Sequence, residues 1–379
     1  MTLALVNGRV LRDSGWAEDQ VVLIKGTHIQ QVVSKTSPWS ADITHDLRGQ
    51  TLLPGFIDVQ VNGGGGVLFN DDPSVASIRE IGRAHRRFGT TGFLPTLISD
   101  DLDVVSRAVK ATQDAIESGV PGVLGIHIEG PFLNEARKGV HDETKLRWLN
   151  EDALGLLTSL KGGKTLVTLA PERTTPQIIR KLKDAGVIVS AGHTNGTYAE
   201  IRTALDHGLT GFTHLFNAMS PLTGREPGAV GAALDDEDSW CGVIVDGHHV
   251  DPVVLRIAMR SKRRDRFMLV TDAMPTVGAP NKTFRLQGRP ISVAYDNTLV
   301  DENGRLAGSD IDMATAVRNS LEMLEVDLVQ ASRMASLYPA TFLGLECELG
   351  RIEPGYRADL VLVDEGINVL ETWIGGVSG

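Results

Sequence analysis

Acidic, amide or imidazole side chains stand at the end of seven of eight short apolar runs in this sequence. Glu129, His193 and His214 end the third, fifth and sixth runs. One carboxylate and two imidazoles are the ligand set of a catalytic zinc ion, and the same set holds ferrous iron or another divalent ion. A single histidine in such a place is more often a packing residue. Three ligands at matching positions favour a metal site.

A fourth ionisable residue, Asp272, ends the eighth run. A carboxylate there can take a proton from an attacking water and later deliver it to a leaving group. The alternative is a helix cap or a loop-ordering residue. The following Ala273-Met-Pro275 is a poor start for a helix, which weakens the capping interpretation.

Further polar residues lie in the segments that follow these runs. His141 can donate a hydrogen bond to a substrate oxygen, or it is an exposed loop histidine. His249 follows the seventh run, where barrels often bind phosphate. Arg225, in a segment rich in Gly and Pro, can clamp an anion or be solvated. Asn217 and Ala218 can offer a side-chain amide and a backbone N–H to the same anion.

The apolar runs alternate with amphipathic segments, and this order is typical of right-handed βα units with a parallel sheet. Eight such units predict an α/β fold of the TIM (β/α)8 type, with a doubly wound open sheet as the alternative. The predicted strands are Leu52–Val61, Gly92–Ile98, Val123–Glu129, Thr165–Leu169, Val187–Ala191, Gly211–Leu215, Gly242–Asp246 and Phe267–Asp272. The predicted helices are Ser74–Phe88, Asp103–Glu117, Glu151–Leu160, Thr175–Ala185, Tyr198–His207 and Pro252–Ser261, with a weaker one in Pro221–Asp238.

Both ends of the chain read as short strands and turns. We expect residues 1–52 and 345–379 to form one small β-sandwich domain around a catalytic barrel of residues 53–344. Asn7-Gly8 predicts a hairpin turn within the first strand region. Arg285–Leu306 predicts a β-hairpin excursion with turns at Asp296-Asn297 and Asn303-Gly304. Helices are predicted over Asp312–Leu324 and Asp327–Leu343.

Charge and composition restrict the partners. The 379 residues include 37 Lys and Arg against 48 Asp and Glu, a net charge of −11. This balance argues against nucleic acid or an anionic membrane as a partner, although a local cationic pocket can still bind one phosphate. Cys241 and Cys347 form no disulfide framework, and no signal or membrane-spanning segment is found. We expect a cytoplasmic protein.

Several ordered motifs give the chain a resemblance to a known family. Pro54-Gly-Phe-Ile-Asp58 and the tail that begins at Gly350 resemble the amidohydrolase superfamily. Within it, the chain is similar to the N-acetylglucosamine-6-phosphate deacetylases over essentially its whole length. The motifs that carry this similarity are His127-Ile-Glu-Gly-Pro131, Leu169-Ala-Pro-Glu172, Ser190-Ala-Gly-His193, Thr213-His-Leu-Phe-Asn-Ala-Met219, Gly224-Arg-Glu-Pro-Gly228, Asp246-Gly-His-His-Val-Asp251 and Thr271-Asp-Ala273.

The resemblance implies hydrolysis of N-acetyl-D-glucosamine 6-phosphate to D-glucosamine 6-phosphate and acetate in amino-sugar catabolism. It implies a metal ion held by Glu129, His193 and His214. It also implies that Asp272 is the acid/base and that His141 assists at the amide carbonyl. The residues that match the sugar-phosphate site are Asn217, Ala218, Arg225 and His249, with the arginine supplied across a homodimer interface, and Gln60 matches a position near the active centre.

One position departs from the superfamily pattern. Most amidohydrolases have His-x-His at the end of the first strand for a second metal, whereas this chain has Gln60-Val-Asn62. Amides are poor zinc ligands, so we expect one divalent ion, zinc in the first place, with iron, cobalt and manganese left open. The alternatives are another amidohydrolase, such as a cyclic amide hydrolase or a deaminase, or a metal-free scaffold protein. Cyclic amide hydrolases and deaminases usually keep His-x-His, and a metal-free scaffold protein would not need the metal ligands.

Overall fold

The structure is a computed structural model that describes residues 1–294 and 298–379. The predicted turn at Asp296-Asn297 lies outside the described residues. In chain order the strands are β1 (Thr2–Arg12), β2 (Gly15–Lys25), β3 (His28–Ser34), β4 (Ile43–Asp46), β5 (Thr51–Pro54), β6 (Phe56–Val61), β7 (Gly63–Gly64), β8 (Val67–Leu68), β9 (Thr90–Ile98), β10 (Gly125–Glu129), β11 (Lys164–Leu169), β12 (Ile188–Ala191), β13 (Leu209–Phe212), β14 (Trp240–Val243), β15 (Phe267–Leu269), β16 (Thr283–Leu286), β17 (Arg289–Val293), β18 (Leu299–Asp301), β19 (Leu360–Val363), β20 (Val369–Ile374) and β21 (Val377–Ser378). The α-helices are α1 (Val75–Arg86), α2 (Leu102–Glu117), α3 (Leu154–Leu157), α4 (Pro176–Asp184), α5 (Tyr198–Asp206), α6 (Gly228–Asp235), α7 (Pro252–Ser261), α8 (Met313–Met323), α9 (Leu328–Ala335) and α10 (Leu337–Phe342).

Eight parallel strands form the barrel that positions the candidate site. Their order is β6-β9-β10-β11-β12-β13-β14-β15, and a helix follows each strand. The strands are buried on both faces, which is why they read as continuous apolar runs. Past the end of β15, Val61 forms a parallel bridge with Ala273, so the first and eighth units are neighbours. The predicted TIM barrel is confirmed, and the open sheet is excluded.

The two ends of the chain meet in a second sheet. Its order is β21-β20-β19-β5-β1-β2-β3, and β4 pairs with β1. A separate apolar cluster fills it, and Leu5, Leu52, Leu360 and Trp373 are among its fully buried members. The pairing of β5 with β1 and β19 joins the N-terminal strands to the C-terminal ones, as the sequence predicts.

A three-stranded antiparallel sheet of β16, β17 and β18, here called the flap, confirms the predicted excursion after the eighth strand. Leu286, Ile291 and Leu299 of the flap pack in one buried cluster with Ile98 and Met274 of the barrel. This cluster fixes the flap over the carboxyl ends of the strands.

Two predicted strand features are wrong in detail. Asn7-Gly8 is not a hairpin turn, because β1 runs through it with a bulge and Asn7 takes a φ of 57°. The predicted strand Leu52–Val61 is two strands, divided at Gly55 between the two sheets. A Cβ at Gly55 would lie 2.2 Å from Thr91 Oγ1, so only glycine fits this crossing point.

The helix predictions hold with three corrections. The predicted helix Asp327–Leu343 is divided at Ser336, whose φ of −136° and ψ of −74° are not helical. Glu151–Leu160 contains only a short 3-10 turn followed by α3. Within Pro221–Asp238 the helix is confined to α6. No helix in the described part of the chain is long and apolar enough to cross a membrane.

Asp58 is the central residue of the seam between the first and eighth strands. Its Oδ1 accepts hydrogen bonds from the backbone N–H groups of Gln60 and Thr271, at 3.1 and 3.3 Å. Its Oδ2 accepts one from Thr271 Oγ1 at 2.5 Å. The side chain is fully buried, and burial raises the pKa of Asp58 from 3.8 to about 7 although these hydrogen bonds oppose the shift.

We predict that Asp58→Asn flattens the dependence of stability on pH. The folded chain binds this proton more tightly than the unfolded chain, so the contribution of Asp58 is fully present below pH 3.8 and is lost as the pH rises to about 7. The change amounts to about 4 kcal/mol across that window. Denaturant midpoints measured from pH 4.5 to 8 should show the difference between the variant and the wild-type protein.

Asp103→Asn is the matched control, because Asp103 lies exposed on α2, away from the seam. This variant should keep the wild-type slope. An Asp58→Asn variant with an unchanged slope would show that the seam carboxyl does not titrate in this window.

Candidate metal-dependent active site

A cavity of about 170 Å³ opens at the carboxyl ends of the barrel strands. This is the end of a TIM barrel where active sites lie. The predicted site residues that line it are Glu129, His141, His193, His214, Asn217, Ala218, His249 and Asp272, and the other lining residues are Ile98, Gly139, Val140, Met274, Leu306 and Gly308.

Glu129, His193 and His214 converge at the base of the cavity. Glu129 Oε1 lies 3.3 Å from His193 Nε2 and 2.9 Å from His214 Nε2, and the two nitrogens are 3.1 Å apart. Ligand atoms around a tetrahedral zinc ion are about 3.3 Å apart. Among the described residues, this is the one group of at least three His, Cys, Asp or Glu side chains with metal-site spacing.

Hydrogen bonds around the cluster fix its chemistry. His193 Nδ1 donates to the carbonyl oxygen of Arg137 at 2.9 Å, so the lone pair of Nε2 faces Glu129. Burial opposes ionisation of Glu129, but the two adjacent imidazoles outweigh burial and hold the pKa of that carboxyl well below its usual range. Burial lowers the pKa of His214, but the neighbouring Glu129 outweighs burial and raises it. This convergence of a carboxylate and two imidazole nitrogens fits a divalent cation.

The first strand contributes two amides rather than two imidazoles. Gln60 Nε2 donates to both carboxylate oxygens of Glu129 at 3.2 Å and to Asp272 Oδ1 at 3.1 Å. Asn62 Nδ2 donates to the same Asp272 oxygen at 2.6 Å. The amide nitrogens of Gln60 and Asn62 are therefore committed as donors to the carboxylates and are not ligands for a second metal ion. Asp272 keeps Oδ2 available.

Asp272 lies half-buried beside this amide pair. Burial and the negative charge of Glu129 raise the pKa of Asp272 to about 6, while His214, His249 and Asn62 oppose the shift. A carboxyl with a pKa near neutrality can both accept and return a proton.

His141 is a buried part of the cavity wall, not an exposed loop residue. Its Nδ1 accepts hydrogen bonds from Ser99 Oγ at 2.7 Å and from the Ser99 backbone N–H at 3.3 Å. The proton of the neutral ring is therefore on Nε2. Burial and the neighbouring His193 lower the pKa of His141 to about 3, which keeps the ring neutral.

The structure brings three of the residues predicted to hold phosphate to the cavity and leaves the fourth outside it. Asn217, Ala218 and His249 line the cavity, and Asp246 Oδ2 accepts a hydrogen bond from His249 Nδ1 at 2.6 Å. Arg225 lies in an exposed loop and is not among the residues that line the cavity. Gln60 does not line the cavity either, but it bonds Glu129 and Asp272 directly, so Arg225 is the one predicted site residue that lies away from the others.

Four of the site residues have an uncommon backbone conformation. The φ angles of His193, His214, Ala218 and Asp272 are 49°, 34°, 50° and 53°. These left-handed conformations are costly for residues other than glycine and cluster at functional sites. At the two histidines and Asp272 they turn the side chains inward directly after each strand ends.

A buried polar layer supports the ligand strands from below. His127 Nε2 bonds Thr168 Oγ1 at 2.7 Å, and Thr168 Oγ1 bonds Thr213 Oγ1 at 2.6 Å. Burial lowers the pKa of His127 to about 4, so this ring is neutral. His127 precedes Glu129 by two residues, and Thr213 adjoins His214. The layer thus holds two ligand-bearing strand ends in register.

The sequence did not reveal two kinds of site residue. Ser99, which orients His141, follows the one strand whose end carries no obvious catalytic group. Ile98, Met274 and Leu306 form an apolar side of the cavity, but in sequence they look like ordinary core residues. The position of Met274, two residues after Asp272, is the one signal that places it near the site.

Comparison with known proteins places the chain among metal-dependent hydrolases of one family. Residues 51–378 match the model of the Amidohydrolase family. The N-acetylgalactosamine-6-phosphate deacetylase of Shewanella sp. (strain ANA-3) is 44% identical over 342 residues, which are 90% of this chain and 86% of the relative. The N-acetylglucosamine-6-phosphate deacetylase of Haemophilus influenzae is 36% identical over 379 residues, 99% of each chain.

A solved structure agrees with the computed fold over its full length. The crystal structure of N-acetylglucosamine-6-phosphate deacetylase from Pasteurella multocida has a TM-score of 0.96 at 35% sequence identity. The match covers 100% of both chains.

We predict that removal of one imidazole empties the metal site. Purified wild-type protein should contain about one divalent ion per chain, and His193→Ala should contain only a small fraction of that, because two ligands hold such an ion weakly. Elemental analysis of the purified proteins measures the difference.

Asp272→Asn is the control, because Asp272 bonds the amides of Gln60 and Asn62 and is not one of the three converging ligands. This variant should keep its metal and lose nearly all turnover. A His193→Ala protein with a wild-type metal content would show that the metal binds elsewhere than at this cluster.

Proposed function

The chain belongs to the amidohydrolase family, and we propose that it hydrolyses N-acetyl-D-glucosamine 6-phosphate to D-glucosamine 6-phosphate and acetate. The observation that carries this proposal is one cavity that combines a metal-ligand cluster, a proton-transferring carboxyl and a polar end suited to phosphate. The Haemophilus influenzae and Pasteurella multocida proteins described above are named as deacetylases of this sugar phosphate.

The metal proposed for the site is a single zinc ion, with iron, cobalt and manganese as alternatives. Glu129, His193 and His214 would hold it. When bound, such an ion activates water and polarises a carbonyl group. The amide donors of Gln60 and Asn62 support one ion rather than two, since they are committed to the carboxylates.

Asp272 and His141 carry the proton and charge movements of the proposed reaction. Asp272 uses its free Oδ2 to take a proton from the attacking water, and then protonates the departing amine nitrogen, which is a poor leaving group without that proton. His141 Nε2–H donates to the carbonyl oxygen as negative charge develops on it. Its hydrogen bonds to Ser99 keep that donor oriented.

The sugar phosphate is proposed to lie at the end of the cavity formed by Asn217, Ala218 and His249. Binding energy from the phosphate then orients the acetamide over the reacting groups. Asp246 positions the His249 ring through the bond to Nδ1, which leaves Nε2 for the ligand.

We further propose a homodimer in which Arg225 reaches the cavity of the partner. The exposure of Arg225 in a single chain supports this, as does the apolar surface nearby. Val253 and Ile257 on α7 and Leu222 beside α6 are 52%, 55% and 57% exposed, and α6 packs against α7.

The two cysteines, Cys241 and Cys347, are free, which supports a reducing, cytoplasmic location.

A second substrate deserves a parallel test, since the Shewanella relative is named for the galactosamine epimer. Acetate release should be measured for N-acetylglucosamine 6-phosphate, its 4-epimer and unphosphorylated N-acetylglucosamine. We expect kcat/KM to fall about a hundredfold or more without the phosphate, because charge-assisted hydrogen bonds are lost.

Chelation followed by zinc add-back is the control for metal dependence in the same assay. Equal kcat/KM with and without the phosphate would refute the sugar-phosphate assignment. A higher kcat/KM for the 4-epimer would move the natural substrate to N-acetylgalactosamine 6-phosphate while leaving the deacetylase reaction in place.

Co-expression of two defective chains tests the origin of the arginine. Arg225→Ala and Asp272→Asn should each be nearly inactive alone. If Arg225 acts on the partner's site, a mixed dimer contains one intact site, and random pairing restores about one quarter of wild-type activity. Differently tagged chains allow the mixed dimer to be purified and assayed.

Glu129→Gln with Asp272→Asn is the matched control pair, because each site of that mixed dimer keeps one defect within its own chain. It should stay inactive. No recovery in the Arg225→Ala pair would place the arginine in its own chain's site or outside the mechanism.

A further inference from the structure

The cavity has an apolar side that the reaction described above does not use. Ile98 is the last residue of β9, Met274 follows β15 by five residues, and Leu306 lies after the flap. The phosphate end, at Asn217 and His249, belongs to the loops after β13 and β14. In the order of strands around the barrel, Ile98 at the end of β9 lies opposite the loop after β13, with the strands that lead to Glu129 and His193 between them. Met274 and Leu306 follow β15, the neighbour of β14, and Asp272 lies between the end of β15 and Met274.

Two members of this apolar side, here called the acyl wall and defined by Ile98, Met274 and Leu306, are fixed by buried packing. Ile98 and Met274 are 3% and 2% exposed and belong to the buried cluster that anchors the flap. The Met274 backbone N–H donates to the Ser309 carbonyl at 3.0 Å, and the Ser309 N–H donates to the Asp272 carbonyl at 3.0 Å. The wall is therefore coupled to the backbone of the proposed acid/base residue.

The geometry of the substrate's acetamide indicates which of its groups contacts the acyl wall. The sugar is attached to the nitrogen of the acetamide and the methyl group to its carbonyl carbon, so the two project in different directions from the reacting centre. With the phosphate near His249, the methyl group is directed away from that end. A rigid apolar surface favours a short alkyl group and disfavours a charged or hydrated one, which would lose its water there.

We propose that the acyl wall binds the methyl group of the substrate's N-acetyl group and sets the length of the acyl chain that is hydrolysed. Met274 and Leu306 are the residues that limit the length. This proposal rests on the proposed deacetylase function and deepens it, from one acetamide to the class of short, apolar N-acyl amino-sugar phosphates.

The test compares N-acetyl-, N-propionyl- and N-butyryl-glucosamine 6-phosphate on the metal-loaded enzyme, with release of the common amine product as the readout. The wild-type enzyme should lose about tenfold or more in kcat/KM from acetyl to butyryl. Leu306→Ala and Met274→Ala, tested separately, should each raise the butyryl-to-acetyl ratio about tenfold, the effect of a methylene or two in an apolar pocket. The ratio is internal to each variant, so a smaller folded fraction does not alter it.

Leu286→Ala is the matched control. Leu286 belongs to the same buried cluster but does not line the cavity, so its truncation loosens the flap without enlarging the wall. Its butyryl-to-acetyl ratio should stay at the wild-type value.

The proposal is overturned if both wall variants keep the wild-type ratio within about twofold, or if Leu286→Ala shifts the ratio as much as they do. A different result would overturn the proposed deacetylase function itself. A wild-type enzyme that releases no amine from any of the three substrates overturns the deacetylase assignment, and the acyl wall with it.

Discussion

Three hydrogen-bond acceptors that face one another at about 3 Å repel unless a positive charge lies between them. Glu129 Oε1 and the Nε2 atoms of His193 and His214 converge to this distance, and the barrel enforces it. The Arg137 carbonyl fixes the tautomer of His193, and left-handed backbone turns at the two histidines direct their rings inward. Such strain persists only where the surrounding structure outweighs it, and a cation held by these three residues would supply compensating attraction.

The same region closes the barrel and positions the proposed acid/base residue. The first and eighth strands are joined mainly by bonds around Asp58, Gln60 and Thr271 rather than by a long ladder. The Asp272 N–H donates to the Gln60 carbonyl at 3.0 Å, so Asp272 is tied to the seam by backbone as well as side chain. Loss of the seam would therefore disturb stability and catalysis together. The amides of Gln60 and Asn62 act in this framework instead of as metal ligands.

The barrel and the centre of its site were predictable from sequence because each rests on local order. Strand ends carry Glu129, His193, His214 and Asp272, and parallel strands bring their ends to one edge. The prediction for His141 depended on the family resemblance. In sequence it is a loop histidine, and nothing there indicates the hydrogen bonds to Ser99 that hold it in the cavity wall. Residue types show a candidate ligand, but not the atom that faces the cavity.

The features that could not be predicted from the sequence depend on tertiary contacts. The bulge at Asn7 and the break at Ser336 reflect packing between elements distant in the chain, and no dipeptide rule distinguishes them from a turn or a continuous helix. The apolar side of the cavity was missed for a similar reason. Ile98 and Met274 have the pattern of core residues, and only the fold shows that one face of this core borders the site.

The acidity of the chain bears on how a phosphate can be held. A net charge of −11 repels an anionic ligand at long range, and the residues that line the cavity include no Lys or Arg within the part of the chain that the structure describes. His249 is the one side chain at the phosphate end that can carry positive charge, and Asp246 offsets part of it. A phosphate dianion is therefore under-neutralised by a single chain. In the proposed homodimer, Arg225 from the exposed loop of a second copy would supply the missing charge, which agrees with its position outside its own cavity.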